Sequence, residues 1–167
     1  FSGNEAGWDG GGAIFGVNGD ISLKNNGSVV FEGNTAESNG GGAIFALAEA
    51  DLIIQNNDSV LFEKNAEISN AAYRLRSIYA GGRNRVISLS SAAGKSIEFR
   101  DSACIRSGST VNLNQDYTYQ AEDGTSVTTK QQGDIVFTGK YTEQHLNDLL
   151  QAAGAGRKAT AEEILYS

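Results

Sequence analysis

The sequence predicts an all-β chain folded as a right-handed parallel β-helix, and three observations carry that expectation. One phrase is written twice, "FSGNEAGWDGGGAIFGVNGD" from residue 1 and "FEGNTAESNGGGAIFALAEAD" from residue 31. The apolar residues come in short bursts, "AIF", then "ISL" or "LII", then "SVVF" or "SVLF", each closed by Gly, Asn, Asp or Ser. Such bursts pattern as strands rather than helices. Proline is absent, as suits strands whose every N–H is needed in a ladder. Similar units placed in sequence stack most simply with each strand parallel to its equivalent, and crossovers of that kind are right-handed.

The register follows from Phe1, Phe31 and Phe62, each followed three residues later by Asn4, Asn34 and Asn65. Gly10-Gly11-Gly12-Ala13-Ile14-Phe15 maps onto Gly40-Gly41-Gly42-Ala43-Ile44-Phe45. Past one inserted residue, Asp20, Ile21, Leu23, Asn25, Asn26, Ser28 and Val29 map onto Asp51, Leu52, Ile54, Asn56, Asn57, Ser59 and Val60. Three strands per unit are expected. Equivalent residues in neighbouring coils lie roughly 4.8 Å apart, so the phenylalanines should stack as an internal column. The asparagines should form a ladder beside it, because an amide carries both donors and an acceptor. The paired glycines are expected to supply positive φ or close backbone approach where the coil turns, with Ala13 and Ala43 filling narrow positions.

Phe62 and Asn65 open a third unit, but "GGAIF" gives way to "NAAYRLRSIYAGGRN", so a loop pushed outward is expected over 66–84. The pattern returns in "RVISLSSAAGKSIEFRDSACI", where Ile87 and Leu89 echo Leu52 and Ile54, and Ile97 and Phe99 echo Val60 and Phe62. Bursts around "STVNLN", "SVTT" and "DIVFTG" extend it. Residues 1–141 thus read as a β-helical segment of about five coils. Residues 142–167 change character. Leu146, Leu149 and Leu150 share a helical face, and Thr160 with Glu163 fits a capping box, so a helical cap or a linker to a following segment is expected.

A net charge of −7 over 167 residues argues against nucleic acid as a partner. Arg74, Arg76, Arg83, Arg85, Lys95 and Arg100 make a local basic stretch, readable as a solvated loop or as an anionic-ligand patch. No apolar run is long enough to cross a bilayer as a helix. There is no Met, so Phe1 is expected to open a processed or cut chain. The single Cys104 permits no internal disulfide and leaves the compartment open.

The alternation FSGN, GGAI, FEGN, GGAI, FEKN resembles the polymorphic outer-membrane protein family of autotransporters, best known from chlamydiae. The likeness is strong from Phe1 to Asn65 and weaker in "AGKSIEFRDSACI" and "GDIVFTG". It implies a secreted passenger carried to the cell surface, or released from it, by a C-terminal β-barrel anchored in the outer membrane. Such a passenger would adhere to host cells or neighbouring bacteria through a receptor protein or glycan. The barrel is absent here, the repeats are few and cysteine is nearly missing, which points to a source outside the chlamydiae.

No catalytic residue, metal or cofactor is expected. Asp20 and Asp51 are equivalent and should lie one coil apart, but their recurrence with the repeat favours turn capping over acid–base work. "AAGKS" lacks the first glycine of a phosphate loop, and His145 has no ligand partner nearby. Asn26 and Asn57 stand in NxS sequons, where turn duty is the better account. Asp9, Asp20, Asp51 and Asp58 could offer oxygen to calcium, without the repeat pattern that would organise them. A ligand surface is expected where the repeat breaks: Trp8 in its turn, and Tyr73, Arg74, Arg76, Tyr79 and Arg83 in place of GGAI, unless the tyrosines only cover the coil side. Two other readings stand beside adhesion, a polysaccharide-active β-helix and a stalk without its own ligand. Uncapped coil ends are expected to invite end-to-end self-association.

Overall fold

The computed structural model describes residues 1–8, 10–37, 40–69, 72–105 and 109–138. Among them the chain is all β, with no helix. The C-terminal helices expected over 142–167 lie outside the described residues.

The first coil holds four strands, β1 (Glu5–Trp8), β2 (Ile14–Gly16), β3 (Ile21–Lys24) and β4 (Ser28–Glu32). The second repeats them as β5 (Thr35–Glu37), β6 (Ile44–Ala46), β7 (Leu52–Gln55) and β8 (Ser59–Glu63). The third runs through β9 (Ala66–Ser69), β10 (Ala72–Ala80), β11 (Val86–Ser90) and β12 (Ser96–Phe99). The fourth uses β13 (Ser102–Ile105), β14 (Thr110–Leu113) and β17 (Asp134–Phe137), with β15 (Tyr117–Gln120) and β16 (Ser126–Thr129) interposed. The first three units therefore carry four strands rather than the three expected. The extra one, "EAGW", "TAE" or "AEIS", follows the FxxN turn and is too polar to announce itself as a strand. Its conformation comes from the parallel ladder it joins.

Every pairing between coils is parallel. β1 pairs with β5 and β5 with β9; β2 pairs with β6, β6 with β10 and β10 with β13. β3, β7, β11 and β14 form one four-stranded sheet, and β4, β8, β12 and β17 another. This is a β-helix-like stack of parallel sheets. Its interior repeats by position: Ile21, Leu52, Ile87 and Val111 align, as do Val29, Val60, Ile97 and Ile135. All eight are buried in one contiguous core.

Phe1, Phe31, Phe62, Phe99 and Phe137 stack at centroid distances of 4.7, 4.8, 4.7 and 5.0 Å, with interplanar angles of 7° or less. The spacing is set by the strands, which lie about 4.8 Å apart. Aromatic contacts of this kind add about 0.5–1.5 kcal/mol per pair beyond burial.

The expected outward loop over 66–84 is instead a hairpin that re-enters the stack. The first half of β10 turns back antiparallel on β9, pairing Ala72 with Ser69 and Leu75 with Ala66. The second half then lies parallel to β6, with Ile78, Tyr79 and Ala80 against Ile44, Phe45 and Ala46. By this register Ser77 stands where Ala43 does, so "RSIYA" performs the task of "GAIFA". The antiparallel segment also occupies the sheet position beside β9, and the fourth coil omits its first strand.

Candidate binding surface

Most polar residues of the repeat are committed to the scaffold. Asn4 Nδ2 donates to Asn34 Oδ1 at 2.8 Å, and Asn34 Nδ2 to Asn65 Oδ1 at 2.8 Å. Each receiving oxygen also accepts the backbone N–H of the donor residue. The second N–H of Asn34 reaches the Phe1 carbonyl and that of Asn65 the Phe31 carbonyl. The ladder thus ties the turn of each coil to the aromatic column. It ends at Asp101, whose carboxylate accepts from the backbone N–H groups of Lys64 and Asn65, from Asn65 Nδ2 and from Ser77 Oγ, all at 2.8 or 2.9 Å. Asp101 lies two residues after Phe99, one short of the FxxN spacing, which is why position 102 gives no hint of it.

The glycines act by close approach. A Cβ on Gly41 would lie 2.0 Å from the Ile44 carbonyl oxygen, and one on Gly42 2.2 Å from the Ala66 nitrogen. Gly11 and Gly12 would meet Ile14 and Gly42 carbonyl oxygens at 1.9 and 2.1 Å. Positive φ is used instead after the Phe, at Gly3 (60°), Gly33 (63°) and Lys64 (58°), and in the asparagine turns Asn25, Asn56 and Asn114.

The equivalent acids carry turns as well. Asp20 Oδ1 accepts the Asp51 N–H at 3.2 Å, and Asp51 Oδ1 accepts the Val86 N–H at 2.9 Å. Among the described residues, no three His, Cys, Asp or Glu side chains gather as a metal site requires. The sequon asparagines bond to each other, Asn26 Nδ2 to Asn57 Oδ1 at 2.9 Å, while Asn57 Nδ2 donates to the Leu23 carbonyl.

The basic stretch does not assemble into one patch among the described side chains. Arg76 is 7% exposed and forms an ion pair with Glu67, itself 1% exposed; its guanidinium carbon lies 5.3 Å from the Tyr79 ring centroid. Glu67 sits in register with Ala36, a core position, so this pair belongs to the interior. Arg100 is held between Glu63 and Glu98, and Lys95 bonds Asp58. Arg85 donates to the Arg83 and Glu49 carbonyls, and Arg83 is exposed. Tyr79 continues an outer aromatic row, Phe15 to Phe45 at 5.3 Å and Phe45 to Tyr79 at 5.2 Å. The side chains of Trp8, Tyr73 and Arg74 lie outside the described residues.

A second excursion was hidden behind bursts that read as further coils. β15 and β16 pair antiparallel as a hairpin between β14 and β17. Before it, the Gln115 N–H donates to Ser90 Oγ of the third coil, and the Tyr117 hydroxyl then accepts from Asn25 of the first at 3.0 Å. Lys24 lies 6.0 Å over the Tyr117 ring. The segment is a strap laid back along the stack. Beyond Tyr117 the hairpin faces water through Thr118, Tyr119, Gln120, Glu122, Asp123 and Thr128. The Tyr-x-Tyr alternation at 117–119 signals a strand but not its partner.

No protein-family model, no curated protein and no solved structure matches the chain.

Proposed function

We propose that this chain is a segment of a bacterial autotransporter passenger, a right-handed parallel β-helix displayed at the cell surface that binds a host receptor protein or glycan. The observation that supports the reading most directly is the separation of scaffold from excursion. The repeated Phe, Asn and Asp side chains are used in stacking, laddering and turn capping. The chain departs from the parallel repeat at the β9–β10 and β15–β16 hairpins. Loops freed from packing are where recognition residues are accommodated without disturbing a core. The FxxN and GGAI alternation supports the family and, through it, the surface location. Adhesion is favoured over hydrolysis of polysaccharide because Asp20, Asp51 and Asp101 are engaged with backbone N–H groups of the turns and the ladder.

The test is adhesion of the purified chain to host cells and to a glycan surface, beside two variants. One replaces Tyr73, Arg74 and Arg83 with Ser; the other replaces Tyr119 and Gln120 with Ser. Arg76 stays, since its removal would break a buried ion pair. Loss of adhesion in either variant at unchanged far-UV circular dichroism supports the reading. No adhesion by the parent chain, or full adhesion by both variants, contradicts it.

A further inference from the structure

All four strands of the first coil are terminal in their sheets, β1, β2, β3 and β4 alike. Its exposed face is a section through the core. Phe1 is 56% exposed where Phe31, Phe62 and Phe99 are fully buried, and Phe15 is 49% exposed where Phe45 is 3%. On the second coil the same face is covered by the first. There the amides of Glu32, Thr35, Leu47 and Ser59 donate to the carbonyls of Phe1, Asn4, Gly16 and Gly27, while Asn34 Oδ1 accepts from Asn4 and Asn34 Nδ2 reaches the Phe1 carbonyl. By the register of the repeat, Ser2, Glu5, Val17 and Ser28 present their amides to the open face, and the Asn4 amide presents an acceptor and a donor to it.

We infer that this face is a stacking site for one further coil of the FxxN and GGAI pattern. Such a coil continues an interface already formed twice in the molecule, with the same phenyl column, the same amide ladder and the same parallel register. A polar or generic strand would satisfy the backbone edges but leave Phe1 and the Asn4 amide unmatched. The occupant is therefore specified by side chains as well as by hydrogen-bonding edges. The opposite end of the ladder is different in kind, because the Asp101 carboxylate accepts and, unlike the Asn amides, carries no side-chain N–H to pass on. Growth of the amide ladder is directional, open at Asn4 and closed at Asp101.

The test joins a copy of residues 31–61 directly ahead of Phe1, which sets the added Phe at the spacing that separates Phe31 from Phe62. A control copy carries Phe31→Ser, Asn34→Ser, Gly41→Ala and Gly42→Ala. Amide hydrogen exchange is followed at Ser2, Glu5, Val17 and Ser28 in the extended, control and parent chains. With the matching copy these amides should exchange at least about tenfold more slowly than in the parent, and with the control copy they should not. Three results would each overturn the inference: fast exchange with the matching copy, equal protection with the control copy, or protection in the parent that rises with its concentration. The last would mean that two such faces pair with each other.

Discussion

Asp101 closes the asparagine ladder with a group that only accepts, and four donors converge on it inside the core. Asp101→Ala leaves those donors unpaired, so the chain should lose about 3 kcal/mol in urea unfolding, with Asp101→Asn losing less because one oxygen remains. Lys64 presents the opposite case. It adopts φ 58° where the two preceding FxxN turns place Gly3 and Gly33, and its ammonium reaches Glu32 at 2.8 Å across open surface. A left-handed conformation costs a side-chain-bearing residue about 1 kcal/mol, so Lys64→Gly should raise the unfolding midpoint at neutral pH. The Lys64 hydrogen bond, then its charge, holds the Glu32 carboxyl below the usual range. That lowered value means the unfolded chain takes up the proton first. The pair therefore contributes stability above the unfolded Glu value and loses it as pH falls through the folded one. Lys64→Gly lacks this dependence, so its advantage over the parent should widen from neutral pH to about pH 3; an advantage that shrinks on acidification would contradict the assignment.

At the level of elements, the GGA turns are tight because neighbouring backbones touch there. Gly42→Ala drives a methyl into the Ala66 nitrogen and should cost more than about 3 kcal/mol, whereas Gly19→Ala, with open space around it, should stay within about 0.5 kcal/mol of the parent. The strap is held more lightly. Tyr117→Phe removes the hydroxyl that accepts from Asn25 and should cost about 1 kcal/mol, read as a lowered urea midpoint with an unchanged slope. These elements also show what the sequence could disclose. Strands lined by apolar residues, such as Leu52–Gln55 and Ser59–Glu63, were legible because inward positions alternate with outward ones. The strand after each FxxN turn was not, since its pairing is dictated by neighbouring coils rather than by its own side chains. Arg76 read as a surface cation because nothing nearby in sequence reveals that Glu67 sits at a core position beside it. The substitution of "RSIYA" for "GAIFA" became readable only through cross-coil register.

For the molecule as a whole, a stack of parallel coils makes most contacts between adjacent units, so each added coil contributes its own interface. The columns that run through the stack, Phe1 to Phe137 and Asn4 to Asp101, make neighbouring coils depend on one another. Phe62→Ala, in the middle of its column, should therefore destabilise by about 3–5 kcal/mol. The central claim is that residues one unit apart lie directly over one another in parallel strands. Cysteine trapping tests it most directly. Ser28 and Ser59 are register partners whose hydroxyl oxygens lie 3.1 Å apart, and Ser59 pairs with Ser96 in the next coil. In a Cys104→Ser background, Ser28→Cys with Ser59→Cys should oxidise readily to an intramolecular disulfide with unchanged far-UV circular dichroism. Ser28→Cys with Ser96→Cys, two coils apart, should not. Trapping of the second pair in preference to the first would contradict the stack.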